Sequence, residues 1–197
     1  VLLLRGDAAR SERNFEPEPG GHVYAVDLVK QVVNMNKGLY LEDEHKGGQT
    51  DFNIGVAGYP EKHFESPNPG ADMKVLKEKI AAGAHYIVTQ MFFDNEKFFV
   101  FERRCREAGI TVPIIPGIKP LTAASQIHTI PRVFHVDIPE ALSEAIERAN
   151  NKEEVQRIGI EWAIEQSRQL KAAGVPCLHY YTMGKADVMT GIVKEVF

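Results

Sequence analysis

The stretch that most restricts the fold is Ala84-His85-Tyr86-Ile87-Val88-Thr89-Gln90-Met91-Phe92-Phe93-Asp94. His85 to Thr89 reads as a short buried strand. Gln90 then breaks the apolar run, two aromatics follow, and Asp94 suits the N-cap of a helix. A polar side chain at the C-terminal end of a buried strand is where α/β barrels and open α/β sheets keep their chemistry.

The rest of the chain repeats this pattern. Val1 to Leu4 reads as a buried strand, followed by Arg5-Gly6-Asp7 and a polar loop from Ala8 to Gly21. A helix is expected from about His22 to Asn36, with Val26, Val29 and Val33 at helical spacing. Leu39 to Thr50 reads as a charged surface insertion. Asn53 to Gly58 is the second strand, ending in Tyr59-Pro60-Glu61-Lys62-His63, and a helix from about Ala71 to Ala82 buries Met73, Leu76 and Ile80. The helix after Asp94 puts Phe98, Phe101, Cys105 and Ala108 on one core face and stops at Gly109. Val112 to Ile115 is the fourth strand. After a loop come helices over about Pro139–Asn150 and Lys152–Ala173. Cys177 to Tyr181 is the fifth strand, and a last helix reaches Phe197.

Strands separated by helices, with no hairpin, predict a parallel sheet with right-handed crossovers. Polar ends on every strand favour a barrel over a sheet with one switch point. A full barrel takes eight strands and about 250 residues. Five units in 197 residues therefore predict one domain, residues 1–197, forming the C-terminal part of a TIM (β/α)8 barrel, about strands 4 to 8. With no initiator Met before a buried strand, the chain is expected to start inside a fold whose earlier part is missing. Two open strand edges would then favour a homo-oligomer.

The formal charge is −4 and no basic run stands out, which argues against nucleic acid or an anionic membrane as partner. No apolar run approaches the ~18 residues of a membrane span. Cys105 and Cys177 form no CxxC pair, and a reducing cytoplasm fits. None of the seven histidines pairs as HxxxH or HExxH, so no metal site is expected. Walker A, GxGxxG and GxSxG motifs are absent, and nothing marks a covalent nucleophile.

Several strand ends carry candidate chemistry. Arg5-Gly6-Asp7 can grip a phosphate or ring edge and set a carboxylate beside a reacting ring, or be a turn with a surface ion pair. Tyr59, His63, Asp72 and Lys79 follow the second strand. Asp72 and Lys79 share a helix face two turns apart; Lys79 can meet a phosphate and Tyr59 can cover a planar ring. Taken singly, each also has an ordinary structural role. Gln90 offers a donor and an acceptor to a pterin or carboxamide edge, or ties loop backbone. Phe92 and Phe93 read as core. His179-Tyr180-Tyr181-Thr182 either lines a mouth or packs inward.

With these residues in view, the chain resembles the methylenetetrahydrofolate reductase family. The resemblance lies in Leu3-Leu4-Arg5-Gly6-Asp7, Tyr24-Ala25-Val26-Asp27-Leu28-Val29, Val56-Ala57-Gly58-Tyr59-Pro60-Glu61 with His63, and Leu76-Lys77-Glu78-Lys79 leading to Ala82-Gly83-Ala84. It continues through Thr89-Gln90-Met91-Phe92-Phe93-Asp94, Ile114-Ile115-Pro116-Gly117-Ile118 and His179-Tyr180-Tyr181-Thr182. It implies a flavin-bearing barrel in which FAD takes hydride from NADH or NADPH and passes it to 5,10-methylenetetrahydrofolate, giving 5-methyltetrahydrofolate. By motif position Arg5, Gly6, Asp7, Tyr24, Ala25, Tyr59, His63, Asp72 and Lys79 contact FAD. Asp7 and Gln90 are the catalytic candidates. Asp7, Gln90, Gln126, Tyr181 and Lys185 are the substrate candidates. The family's general-acid glutamate lies on a first strand that this chain lacks, so the chain alone is not expected to complete the reaction. Gly184-Lys185 stands where many bacterial members have Asn-Arg, and Lys119 replaces a usually apolar residue. Two alternatives remain: a non-catalytic flavin- or folate-binding module, and an unrelated TIM-barrel folate enzyme.

Overall fold

Strands β1 (Leu2–Leu3), β2 (Gly55–Gly58), β3 (Tyr86–Met91), β4 (Ile114–Ile118) and β5 (His179–Tyr180) lie side by side in chain order, every neighbouring pair parallel. They come from a computed structural model, which describes residues 1–6, 8, 15–41, 47–184 and 186–197. Helices α1 (Ala25–Asn36), α2 (Pro69–Ala81) and α3 (Asn95–Glu107) cross between the first four strands. Helices α4 (Gln126–Phe134), α5 (Glu140–Glu147) and α6 (Lys152–Ala172) join β4 to β5, and α7 (Ala186–Val196) follows. Sequential order in a parallel sheet is the topology of an α/β barrel, here an open arc of five strands.

The helices begin where the sequence supplies caps. Asp94 accepts from the Glu96 N–H, Asn68 from that of Ala71, and Asn151 from that of Glu154. Their apolar stripes close the core. Val29, Val32, Ile54, Val56, Leu76, Ile87, Phe98, Phe101 and Cys105 form one cluster with Leu170 and Ile192. A second gathers Met91, Phe93, Leu121, Ile130, Leu142 and Ile146 beneath α4 and α5. Burial pushes the Cys105 thiol up to about 12, as befits a small hydrophobe.

Element ends shift by one to three residues, β3 among them, which runs through Gln90 to Met91 instead of breaking at Gln90; beyond that the structure departs from the predicted elements in three places. The first strand is short and not buried: Val1, Leu2 and Leu4 are 49%, 37% and 51% exposed, because β1 lies at the sheet edge. Helix α4 occupies what reads as loop. Pro131 sits inside it, and the helix ends soon after at His135, whose φ of 54° is left-handed. Strand β4 runs through Pro116 to Ile118 rather than stopping at Ile115, for a reason found in its neighbour. Val88 pairs with Ile115 but Met91 with Gly117, so β3 carries an extra residue there and bulges. Pro116 falls opposite the bulge, where a missing N–H disturbs the ladder least.

Candidate functional site at the C-terminal rim

All five strands point the same way, so their C-terminal ends share one rim. The register Gly58↔Thr89 brings Tyr59 and Gln90 to the same level on adjacent strands. Leu3 pairs with Val56, which carries Arg5 to the same end.

Beyond β1 and β2 the expected residues gather. Arg5 Nη2 lies 2.8 Å from both carboxylate oxygens of Glu65. Its guanidinium also sits 5.0 Å from the Phe15 ring centroid. His63 Nδ1 accepts from the Glu65 N–H at 3.2 Å, and its ring meets Tyr59 edge-on at 4.6 Å. Lys79 reaches in from α2, donating to the Ala57 carbonyl at 3.2 Å with its ammonium 5.9 Å from the Tyr59 ring centroid. Asp72, one face with Lys79 as the spacing predicts, accepts from Ser66 Oγ at 3.0 Å. The electrostatics follow from burial. It lowers the pKa of Lys79, with the Asp72 charge working the other way. It also lowers that of His63, which is therefore mainly neutral at pH 7. The Arg5 hydrogen bond holds the Glu65 carboxyl below its usual range. The result is a half-buried aromatic face flanked by two cations, a donor set suited to a planar ring and a phosphate.

Beyond β3 to β5 the bulge sets the geometry. Thr89 Oγ1 accepts the Gly117 N–H at 2.9 Å, and the Thr89 carbonyl accepts from Tyr181 Oη at 2.8 Å. Gln90 therefore sits at the bulge itself, half-buried, its Oε1 turned back onto the Met91 N–H at 3.0 Å. Bulges re-aim side chains in this way. Burial raises the Tyr181 pKa, so it stays a phenol, and Lys119 Nζ donates to the Tyr181 carbonyl at 3.5 Å. Phe92 and Phe93 are fully buried, as core residues should be. The carbonyls they expose at the strand end are taken by α6. Gln166 Nε2 donates to Phe92 O at 3.3 Å and Trp162 Nε1 to Phe93 O at 2.9 Å.

Arg5, Tyr59, His63, Asp72 and Lys79 are thus brought together, with Gly6 beside Arg5 and Gln90 on the next strand. Tyr24 is 60% exposed at the N-cap of α1, with Ala25 the first helical residue. Gln126 opens α4, where its Oε1 accepts the N–H groups of Thr122 at 2.7 Å and Ala123 at 3.1 Å. Asp7 and Lys185 lie outside the described residues. Sequence reasoning missed Glu65 as the partner of Arg5. It also missed Glu61, although that residue stands inside the Tyr59–His63 motif. Its signal was a carboxylate one step from a strand end, indistinguishable in sequence from a solvated one. Among the described residues, no group of three or more His, Cys, Asp or Glu side chains is placed to hold a metal, and no helix is long and apolar enough to cross a membrane.

Comparison with known proteins gives these positions a context. The chain is 39% identical over 195 residues to methylenetetrahydrofolate reductase 2 of Saccharomyces cerevisiae, covering 96% of the chain and 30% of that protein. It is 38% identical to the probable NADPH methylenetetrahydrofolate reductase of Caenorhabditis elegans, over all of the chain and 28% of that protein. It is 36% identical to the 5,10-methylenetetrahydrofolate reductase of Salmonella typhimurium, over 98% of the chain and 58% of that protein. The chain therefore spans less than two thirds of these relatives. Among solved structures, an uncharacterised protein from Clostridium thermocellum, described as binding two copies of 5-methyl-5,6,7,8-tetrahydrofolic acid, shares the fold. Its TM-score is 0.53 at 16% identity, over 74% of this chain and 53% of that one. Residues 1–196 match the family described as methylenetetrahydrofolate reductase. The chain belongs to the methylenetetrahydrofolate reductase family.

Proposed function

We propose that the protein reduces 5,10-methylenetetrahydrofolate to 5-methyltetrahydrofolate, with NADH or NADPH and a proton as co-reactants. The observation that carries this reading is the convergence of Arg5, Tyr59, His63, Asp72 and Lys79 on one rim, within a chain of that family. Bound FAD would supply the two-electron relay between nicotinamide and folate. This chain's residues fit a flavin nucleotide. Tyr59 offers a ring face, Lys79 and Arg5 offer positive charge, and the Asp72 charge opposes the lowering of the Lys79 pKa by burial. Asp7, Tyr24 and Ala25 complete the flavin set. Gln90 serves nicotinamide and pterin in turn, with Asp7, Gln126, Tyr181 and Lys185 on the folate side. Relatives are named for NADPH in Caenorhabditis elegans and NADH in Oryza sativa, so both reductants are kept. In the same reading, β1 to β5 are the fourth to eighth strands of a (β/α)8 barrel, residues 1–197 are one domain, and the protein is cytoplasmic. The two unpaired thiols accord with that location.

The test is an absorption spectrum of the intact protein. Bound FAD should give a yellow protein that bleaches with NAD(P)H and recovers its colour with methylenetetrahydrofolate or menadione. A colourless protein that takes up no added FAD would overturn the proposal.

A further inference from the structure

Glu61 lies two residues past the β2 ring face, yet its side chain is only 8% exposed. Its Oε2 accepts the backbone N–H of Asp137 at 3.0 Å, while its Oε1 is buried with no hydrogen-bond partner among the described residues. The Asp137 segment belongs to the connection between α4 and α5, two strand units away. A second contact joins the same two segments: the Phe64 and His135 rings stack at 4.8 Å. Each segment also holds a non-glycine residue in the left-handed region, Lys62 at φ 78° and His135 at φ 54°. Such conformations persist only where surrounding contacts hold them.

We propose that Glu61 is a positioning residue that, by holding a proton, clasps the β2 exit loop carrying Tyr59 and His63 to the 135–137 segment. The charged groups facing it decide the sign. From α3, Lys97 Nζ lies 3.8 Å from Glu61 Oε2 and 3.0 Å from Asp137 Oδ2. Asp94, at the α3 N-cap, acts on Lys97. Asp137 is held ionised by its hydrogen bond to Lys97. An ionised Glu61 would therefore be a second, poorly hydrated negative charge beside Asp137. A protonated one can share its proton with the Asp137 carboxylate while accepting the Asp137 N–H. Burial, the largest cause, raises the Glu61 pKa from 4.5 to about 7; the Asp137 N–H and Lys97 oppose the rise, and the Asp137 carboxylate adds to it. With the clasp open and Glu61 in water, the ordinary value returns. The closed form is then favoured most at low pH and loses ground as pH climbs through that interval, by up to about tenfold per pH unit.

The clasp itself does not depend on the flavin reading; its effect on Tyr59 and His63 does. In the intact protein without added flavin, the 13C shift of the Glu61 carboxyl should titrate near neutrality. The protection factor of the Asp137 amide should fall between about pH 5 and 7 and level off above. Glu61→Gln keeps an acceptor and gains a donor, so its Asp137 protection should be flat with pH. A Glu61 carboxyl titrating near its ordinary value would overturn the proposal, as would a Glu61→Gln variant with the wild-type pH course. If that variant does not fold, the wild-type titration and protection still decide. Flavin binding, followed separately by fluorescence, should weaken over the same interval in the wild type and stay constant in Glu61→Gln. Failure to bind flavin at any pH, with the clasp intact, would overturn the flavin assignment alone.

Discussion

Gly117 shows how much one missing methyl can decide. A Cβ at this position would run into the Thr89 carbonyl and the Tyr181 ring. Those two groups are joined by the hydrogen bond that holds the β3 bulge. Gly117→Ala should therefore push Tyr181 away or straighten the bulge. The expected cost is about 1–3 kcal/mol, typical of overpacking. Melting temperature should fall by several degrees, at about 2–4 °C per kcal/mol for a chain of this size. An unchanged melting temperature would show that the bulge does not need the glycine. The Arg5–Glu65 pair teaches the opposite lesson. Its geometry is good, but Glu65 is 44% exposed, so the pair orients the guanidinium more than it stabilises the fold.

Element by element, α6 is what holds the end of β3 in place. Gln166 is 5% exposed and serves two acceptors, the Phe92 carbonyl and Asn95 Oδ1 at 3.2 Å. Asn95 in turn donates to the Gln166 carbonyl at 3.2 Å. Replacing Gln166 by Leu keeps the volume but strands two buried acceptors. The expected loss is roughly 1–3 kcal/mol, measured by urea unfolding. Because Phe92 directly follows the bulge, the variant should also loosen Gln90, seen as faster amide exchange at Met91. A variant as stable as the wild type, with Met91 exchange unchanged, would remove α6 from this role. Helix α6 approaches closely enough to do this because Gly159 lies against the Leu121 backbone, where any side chain would collide.

At the scale of the whole chain, the described residues form an open sheet of five strands. β1 and β5 are its edges, and Val1, Leu2 and Leu4 stand exposed along the first. Parallel edges that pair with no further strand among the described residues, beside apolar side chains, invite pairing with a second chain. The 197-residue chain on its own is expected to run above monomer mass in size-exclusion chromatography with light scattering. A strictly monomeric mass over a wide concentration range would refute this.

Alternation of β-branched runs with amphipathic stretches, punctuated by Gly, Pro and good caps, is by itself enough to specify the parallel architecture. Local chain chemistry is enough for that, because Asp94 caps whichever helix follows it and Phe98, Phe101 and Cys105 share a face by helical period alone. The same logic set Arg5, Tyr59 and Gln90 at strand ends. It missed α4, whose Pro131 reads as a breaker, and it ended β4 at a proline that the bulge accommodates. Long-range placement was beyond it. Only the packed fold brings Glu65 to Arg5 across 60 residues, Tyr181 to Thr89 across 92, and the Asp137 N–H to Glu61 across 76. Solvation separates the two: a carboxylate looks the same in sequence whether water or a buried wall surrounds it, and it is burial above all that gives Glu61 its altered affinity for a proton.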